Sequence, residues 1–359
     1  MKLKLLELFG GIGACSKALE RLEIDYEIAD YVEIDKYAVK SFNAIHNTNF
    51  EPQDICEWNK DIEVDLIMHG SPCQDFSLAG KQAGGDEGSG TRSSLMYETI
   101  RIVEKLKPKY VIWENVKNLL SKKHRHNFDA YLETMESSGY TNYYQVLNAK
   151  DYGIPQNRER VFTISIRNDM DKGYLLPEPQ ELKLRLKDML EDEVNEKYYV
   201  KKTLNIKETQ NYLQWPNSGK MQNSQAERAY YQDGLSPTLS SCNANGDKSQ
   251  VVLVDKTICL NSKGGRNGIE GLQPSLKDRI YDSNGIATCC ATSNFFMPNY
   301  TDGLRIRKLT PKECWRLMGF DDEDYEKASK VNSNSQLYKQ AGNSIVVPCL
   351  EAILTNLLK

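Results

Sequence analysis

Two side chains with reactive chemistry follow short apolar runs of this 359-residue chain. Cys73 comes after residues 65–68 (Asp-Leu-Ile-Met) and the turn sequence Gly-Ser-Pro, and Glu114 comes directly after residues 110–113 (Tyr-Val-Ile-Trp). An ionised thiol is a nucleophile, and a carboxyl group can exchange protons with a substrate. We therefore predict that Cys73 is a nucleophile, with Glu114 as a second reactive group. The alternative is that Cys73, one of nine cysteines, is a small core residue.

Both side chains are predicted to stand at the carboxyl ends of neighbouring strands. A four-residue apolar run that stops at Gly-Ser-Pro is typical of a short buried strand, and Pro72 fixes a backbone angle just before the thiol. Open α/β sheets bind their ligands at this edge. Residues 81–94, rich in Gly, Ser and charge, are predicted to form a lid over the thiol.

Two arginines lie two residues apart in the stretch 152–162. Alternate residues of a strand point to the same face, so Arg158 and Arg160 are predicted to share one face and to bind anions or polar acceptors there. The alternative is a surface ion pair with Glu159. A second basic run, residues 122–126 (Lys-Lys-His-Arg-His), could bind phosphate, although such a run is more often the solvated start of a helix.

The start of the chain carries the pattern of a nucleotide-binding unit. Residues 3–9 are an apolar run, the turn 10–13 (Gly-Gly-Ile-Gly) follows, and a helical pattern continues through Leu22. Strand, glycine-rich turn and helix open such a unit. Glu33 ends a second strand at an offset of about 20 residues, where a carboxylate can bind a ribose hydroxyl. These features favour an adenosine-containing ligand, and the alternative is an ordinary tight turn.

A third strand is predicted to end at Asp54 and Ile55, after a turn at Pro52 and Gln53. The carboxylate of Asp54 would then accept a hydrogen bond from an adenine amino group. On this count the run before Cys73 is the fourth strand of the sheet.

Two patterns near the carboxyl end predict helix starts. The segment 310–313 (Thr-Pro-Lys-Glu) has the spacing of a capping box with proline at the first helical position, which indicates a structural use. The segment 340–348 leads into a final apolar helix, and Asn343 and Ser344 could bind a ligand's carboxylate or cap that helix. The acidic stretch 321–326 is expected to be exposed.

The composition is that of an ordinary globular protein, with 40% hydrophobic and 27% charged residues. The net charge is −4, so any surface that binds a polyanion must be local. The first residues (Met-Lys-Leu-Lys-Leu-Leu-Glu) do not form a signal peptide, and no apolar run approaches the roughly 20 residues of a membrane span. Scattered cysteines without a Cys-x-x-Cys pair favour reduced thiols in a cytosol over structural zinc.

The alternation of strands and helices weakens after residue 169. Residues 201–301 are rich in Asn, Ser, Gly and Tyr and are predicted to form a second, mostly β and irregular domain. This domain contains a faint repeat, because residues 228–243 resemble residues 279–294 at an offset of 51 (279 − 228). The repeat predicts two similar hairpins. Chance similarity in a segment of biased composition is the alternative.

In their order along the chain, these motifs resemble the C5-cytosine DNA methyltransferases of bacteria and their phages. The resemblance covers nearly the whole sequence, with small departures at Gly10, Asp75 and Ile345. The matching residues are Phe9-Gly10-Gly11-Ile12-Gly13, Glu33, Asp54, Gly70-Ser71-Pro72-Cys73-Gln74, Glu114-Asn115-Val116, Gln156-Asn157-Arg158-Glu159-Arg160, Arg307, Leu309, Thr310, Pro311, Glu313, Arg316, Leu317, Gly319, Phe320 and Gln340-Ala341-Gly342-Asn343-Ser344.

The resemblance implies a fold and a domain division. A doubly wound, mostly parallel α/β sheet of the S-adenosylmethionine-dependent methyltransferase type is expected at residues 1–185 and 305–359. A smaller, mostly β and irregular target-recognition domain is expected at residues 186–304.

The resemblance also implies transfer of a methyl group from S-adenosylmethionine to carbon 5 of a flipped-out cytosine in double-stranded DNA. Cys73 would add to carbon 6 of the base, Glu114 would act as a neutral acid at N3, and Arg160 would bind O2. Arg158 would help to position the sulfur and Glu114. The residues expected to hold the cofactor are Phe9, Gly11, Ile12, Gly13, Glu33, Ile34, Asp54, Ile55, Pro72, Leu95, Asn343 and Ser344.

The expected partner is double-stranded DNA, with base edges read by the polar ends of the twin hairpins. We expect a cytoplasmic monomer that needs no metal, and a restriction endonuclease specific for the same DNA sequence is a possible partner. One alternative is a tRNA cytosine methyltransferase of the same fold, whose Cys-Phe-Thr motif is not found here. Another is a catalytically inactive DNA-binding homologue, which would have lost the Pro-Cys pair or the acid. The residues expected to contact DNA are Gln74, Ser77, Arg92, Arg228 and Arg279.

Overall fold

The computed structural model describes residues 2–72, 95–199, 207–208, 212–214, 228–230, 235–237, 239, 251–255 and 305–359. The chain divides into two compact units, the first made of residues 1–184, 237–245 and 314–359 and the second of residues 185–236 and 246–313. Cys73 and the expected lid lie outside the described residues.

The first unit is built on one sheet whose strands alternate with helices. The elements of residues 1–184 are β1 (Leu3–Leu8), α1 (Ala14–Arg21), β2 (Tyr26–Val32), α2 (Lys36–His46), β3 (Leu66–His69), α3 (Met96–Leu106), β4 (Tyr110–Val116), α4 (Arg125–Ser137), β5 (Tyr140–Asn148), β6 (Gln156–Asn157) and β7 (Glu159–Arg167), with short 3-10 turns at Lys117–Leu120 and Ala149–Tyr152. The six-stranded sheet has the order β2-β1-β3-β4-β7-β5. Its first four strands are parallel, and β7 is antiparallel to β4 and β5.

Helices cover both faces of this sheet. Neighbouring residues of a strand point to opposite faces. At the end of β2, the ring of Tyr31 stacks on Phe42 of α2, with ring centroids 3.8 Å apart. The next residue, Val32, belongs instead to the core cluster that contains Ile100 of α3 and Phe128 of α4. The doubly wound, mostly parallel fold is therefore confirmed.

The order of strands also confirms that the two strands with reactive ends are neighbours. β3 pairs with β4 in parallel, from Leu66 opposite Tyr110 to His69 opposite Trp113. Gly70, directly after β3, and Glu114, near the end of β4, consequently lie at the same edge of the sheet, although β4 continues to Val116.

The predicted third strand at Asp54 and Ile55 is wrong, because residues 47–65 form no strand. The side chain of Asp54 accepts a hydrogen bond from the amide of Cys56 (2.9 Å), and its carbonyl accepts one from the amide of Trp58 (3.1 Å). An aspartate that binds the backbone two residues on favours a turn over an extended strand. The run before Cys73 is therefore the third strand of the chain.

The carboxyl-terminal elements are α5 (Pro311–Arg316), α6 (Asp322–Ser329), α7 (Asn334–Asn343) and α8 (Val347–Leu358). The acidic stretch 321–326 is not uniformly exposed. Asp324 is buried and lies 3.1 Å from Nζ of Lys17, a buried lysine of α1. The lysine supplies the opposite charge that a buried carboxylate requires.

Within the part of the chain that the structure describes, one segment, Asn334–Leu358, passes a length and hydropathy test for a membrane span. It comprises α7 and α8, and half of its most apolar window is buried inside the protein. Core helices pass the same test, so this segment is weak evidence for a membrane span. It does qualify the expectation that no apolar run approaches that length.

The second unit carries a five-stranded sheet and two 3-10 turns. Its described elements are the turns Leu186–Met189 and Glu196–Tyr198 and the strands β8 (Lys207–Glu208), β9 (Tyr212–Gln214), β10 (Arg228–Tyr230), β11 (Ser236–Pro237), β12 (Val251–Asp255) and β13 (Arg305–Lys308). The sheet order is β13-β12-β10-β9-β8. The predicted capping box is confirmed, because the amide of Glu313 donates to Oγ1 of Thr310 (3.2 Å) and the amide of Thr310 donates to Oε2 of Glu313 (2.7 Å).

Candidate active site

The glycine turn between β1 and α1 is held by the end of β2. The amide of Gly11 donates to Oε2 of Glu33 (3.1 Å), and the hydroxyl of Tyr31 donates to the carbonyl of Gly11 (2.7 Å). Gly10 must be glycine, since a Cβ there would lie 2.6 Å from a ring carbon of Tyr31. The structure therefore brings the predicted turn and the predicted carboxylate together.

The carboxylate of Glu33 accepts backbone hydrogen bonds beside an open part of the glycine turn. Its Oε1 accepts a hydrogen bond from the amide of Asp35 (2.9 Å), and burial raises the pKa of Glu33. A Cβ on Gly11 would meet no atom within 4 Å, so this part of the turn is uncovered beside the carboxylate. A sugar hydroxyl that donates to Glu33 fits this arrangement.

The other predicted cofactor residues on this side differ in exposure. Ile34 is 68% exposed and offers an apolar surface that a flat ring could contact. Asp54 is partly buried on its turn. Ile55 is 4% exposed and packs in the core, so its side chain supports the turn from below.

A buried polar network that sequence analysis missed holds the loop after α2. The carboxylate of Asp30 accepts hydrogen bonds from the indole of Trp58 (2.7 Å) and the amide group of Gln53 (3.1 Å). The main-chain amide of Gln53 also donates to the carbonyl of Glu33 (2.9 Å). The signal in the sequence was an acid inside an apolar strand, because a buried carboxylate requires donors.

Glu114 and Arg160 form an ion pair at the edge where β3 and β4 end. Nε of Arg160 lies 3.0 Å from Oε1 of Glu114, and the two side chains are only 17% and 12% exposed. A Cβ on Gly70 would lie 3.7 Å from Oε2 of Glu114 and 3.6 Å from the side chain of Ile345. Three separate segments of the chain therefore meet around this carboxylate.

The residues before Cys73 are tied to the strand that carries Glu114. The indole of Trp113 donates to Oγ of Ser71 (3.0 Å), and the side-chain amide of Asn115 donates to the carbonyl of Ser71 (3.4 Å). Ser71 is buried and Pro72 is partly buried. The predicted nucleophile follows this anchored segment directly.

Arg158 is not on a strand with Arg160, so that prediction is wrong. β7 begins at Glu159, and Arg158 stands in the break between β6 and β7. Its guanidinium group is buried and donates to the carbonyls of Gly342 (3.2 Å) and Ser344 (2.8 Å). At this break the amide of Arg158 donates to the carbonyl of Gln156 (3.1 Å) and to Oδ1 of Asn148 (3.1 Å) in place of a strand pairing.

The remaining predicted residues have varied positions. Phe9 has a left-handed backbone (φ 53°) and Ile12 is buried. Leu95 packs against the core just before α3. Asn343 is exposed at the end of α7, whereas Ser344 is buried.

Most of the residues expected to contact DNA lie outside the described residues, namely Gln74, Ser77, Arg92 and Arg279. Arg228 begins β10. In the basic run 122–126, α4 begins at Arg125 and Lys122, Lys123 and His126 are exposed, which agrees with a solvated helix start.

Comparison with known proteins places the whole chain in one group. The family model described as C-5 cytosine-specific DNA methylase matches residues 3–359. Orphan methyltransferase M.SPBetaI of Bacillus phage SPbeta is 32% identical, with 99% of this chain and 98% of that protein covered. Type II methyltransferase M2.ScrFI of Lactococcus lactis subsp. cremoris is 32% identical (99% and 99% covered), and Type II methyltransferase M.HhaI of Haemophilus parahaemolyticus is 32% identical (99% and 94% covered).

Solved structures agree on the fold. The S. pombe Dnmt2 methyltransferase has a TM-score of 0.65 at 19% identity and covers 100% of both chains. A putative DNA modification methyltransferase encoded within an E. coli prophage has a TM-score of 0.61 at 18% identity, with 99% and 98% covered. At these identities the likeness shows the architecture alone.

Proposed function

The chain belongs to the C-5 cytosine-specific DNA methylase family and methylates carbon 5 of cytosine in DNA, and from this premise we propose that Cys73, Glu114 and Arg160 carry out the chemistry. The observation that carries the proposal is the pairing of Arg160 with Glu114 at 3.0 Å, beside Gly70 at the end of the strand that leads to Cys73. A thiol, an acid and a guanidinium group are thereby assigned to one edge of the sheet.

Each of these groups meets a need of the reaction. Carbon 5 of cytosine is a poor nucleophile, but addition of the Cys73 thiolate to carbon 6 converts carbon 5 into an enamine carbon. Negative charge then develops on N3 and O2. Glu114 in its acid form donates its proton to N3 and Arg160 donates a hydrogen bond to O2, which lowers the barrier to addition. After methyl transfer, a base removes the proton on carbon 5, the carbon 6–sulfur bond breaks to release the thiolate, and N3 returns its proton to Glu114.

The methyl donor in this proposal is S-adenosylmethionine, whose sulfonium group supplies an electrophilic methyl. When bound, this cofactor would be held by Glu33 at the ribose hydroxyls, by Ile34 and Phe9 at the adenine, and by Asp54 as acceptor of a hydrogen bond from the adenine amino group. Asn343 and Ser344 would hold the methionine end. The uncovered face of Gly11 beside Glu33 supports this assignment.

The DNA is bound, in this proposal, by residues 186–304 and by the lid. The target base must leave the duplex to reach Cys73, and closure of residues 74–94 over it would exclude water. Gln74, Ser77, Arg92, Arg228 and Arg279 are the proposed DNA contacts. The enzyme is proposed to act as a monomer, and a restriction endonuclease for the same sequence is a possible partner.

Bisulfite sequencing of DNA from cells that express the protein tests the reaction and identifies the site. Wild type should leave one cytosine protected within a recurring sequence. C73S should abolish protection while the purified protein still binds a duplex with that sequence. C314S is the matched control, because Cys314 lies in α5, to which no role in the site is assigned, and it should methylate normally.

The same experiment separates the alternatives. Methyl transfer to purified tRNA but not to duplex DNA would refute the proposed substrate. Methylation that persists in C73S would refute the role of the thiol. DNA binding without transfer by the wild type would indicate an inactive homologue.

A further inference from the structure

One buried guanidinium group bridges two parts of the first unit that are far apart in sequence. Arg158 is 3% exposed, and its Nη2 donates to the carbonyls of Gly342 (3.2 Å) and Ser344 (2.8 Å). Its Nη1 donates to the carbonyl of Leu239 (3.2 Å). Three main-chain carbonyls therefore share one charge.

The Leu239 end of this bridge is held from both sides. The amide of Leu239 donates to Oε1 of Gln156 (3.2 Å), so both backbone polar groups of Leu239 bind the segment 156–158. Gln156 is fully buried and donates in turn to the carbonyl of Leu317 (2.7 Å). The side chain of Leu239 is 3% exposed. Leu239 is therefore held by hydrogen bonds on both of its backbone groups and by burial of its side chain.

The two ends of the bridge belong to segments with different proposed partners. Gly342 and Ser344 flank Asn343 at the carboxyl end of α7, the segment assigned to the methionine end of the cofactor. Leu239 lies within the first copy of the repeat, between Ser236 and Ser241, whose polar ends are assigned to DNA. Residues 237–245 belong to the first unit, while the chain before and after them belongs to the second.

We propose that Arg158 is a positioning residue that couples cofactor binding to DNA binding. The inference rests on the proposed function, because it takes the two ligands from it. The loss of one hydrogen bond from a buried cation costs free energy, because the charge is left partly unsatisfied. Displacement of either carbonyl segment therefore disturbs the other. Cofactor bound at residues 342–344 then favours the arrangement of the segment around Leu239 that DNA requires. By the same coupling, DNA raises the affinity for the cofactor by the same factor.

The test measures the affinity for S-adenosylhomocysteine by calorimetry, with and without a duplex carrying the sequence found by bisulfite sequencing. All proteins carry C73S, so that no covalent adduct contributes. The coupling ratio is the dissociation constant without DNA divided by that with DNA. With Arg158 present, DNA should tighten cofactor binding about tenfold, within the usual range for coupled sites.

R158K and R158Q should lower this ratio to about one to two. Lysine keeps the charge, but its ammonium cannot span acceptors as a planar guanidinium does. The control is R307K, which alters another buried arginine, one that is paired with Glu313 and remote in sequence from both carbonyl segments. It should keep the full ratio even if the protein melts at a lower temperature.

Two results would overturn the inference. One is a ratio near one in the parent protein, and the other is an undiminished ratio in R158K. Loss of both affinities with the ratio intact would show a merely structural arginine. The bisulfite experiment on the wild type is independent, so an active enzyme with an unchanged ratio refutes the coupling alone, whereas absence of DNA methylation refutes the proposed function.

Discussion

Replacement of Gly13 by alanine should destabilise the first unit more than the same replacement at Gly173, a glycine with a similar backbone. Gly13 caps α1 with φ +82°. A Cβ there would lie 2.2 Å from Nε2 of His46 and 2.8 Å from a ring carbon of Phe42. Phe42 stacks on Tyr31 at 3.8 Å, so the clash cannot be relieved without moving the core beside β2.

The size of the effect follows from two separable terms. A left-handed backbone costs an alanine about 1–2 kcal/mol, and overpacking a filled core adds about 1–3 kcal/mol. Gly173 provides the matched control, because it has φ +86° but a Cβ there would meet no atom within 4 Å. G173A should therefore show the backbone term alone.

Thermal unfolding followed by circular dichroism measures both variants. About 1 kcal/mol corresponds to a change in Tm of about 2–4 °C for a unit of this size. G13A should lower the Tm by roughly twice as much as G173A or more. Equal losses in the two variants would refute the reasoning, since the steric term would then be absent.

Three further outcomes are expected. E33Q should weaken binding of S-adenosylhomocysteine about tenfold, because a charged acceptor is lost, with kcat unchanged at saturating cofactor; an unaltered affinity would argue against Glu33 as the ribose acceptor. E114Q should lower kcat by about a hundredfold or more with DNA affinity retained, and a normal kcat would remove the acid from the mechanism. Burial lowers the pKa of His69 to about 3, below the roughly 6.5 of an unfolded histidine. The contribution of neutral, buried His69 to the free energy of unfolding is therefore complete above pH 6.5 and is lost as the pH falls toward 3. Between pH 7 and pH 5, H69F should therefore lose less of its free energy of unfolding than wild type, and an equal loss would contradict this assignment.

The sequence predicted most of the first unit correctly because its signals are local. Apolar runs of strand length, helical spacing between them and a glycine turn each depend on a few adjacent residues. The capping box at Thr310 and Glu313 was also correct, since its donors and acceptors lie three residues apart. The prediction that β3 and β4 are neighbours was also correct, and it was made because both strands end in reactive side chains.

Two of the errors involve partners that are distant in sequence, and the third is local, because Asp54 forms a turn with Cys56 where a strand was predicted. Arg158 follows strand spacing, but its buried guanidinium group binds carbonyls about 80 and 185 residues further along the chain. Asp324 lies in an acidic run that was predicted to be exposed. It can be buried because the ammonium group of Lys17 lies 3.1 Å away.

The sequence by itself determined the class of fold, the family and the order of the candidate groups along the chain, because these depend on residue type and local spacing. Only the tertiary structure decided which groups meet: Arg160 with Glu114, Asp30 with Trp58, and Arg158 with Leu239 and Ser344. Such pairs form where buried charges must find partners, and no pattern along the chain records which partner the packing brings within reach.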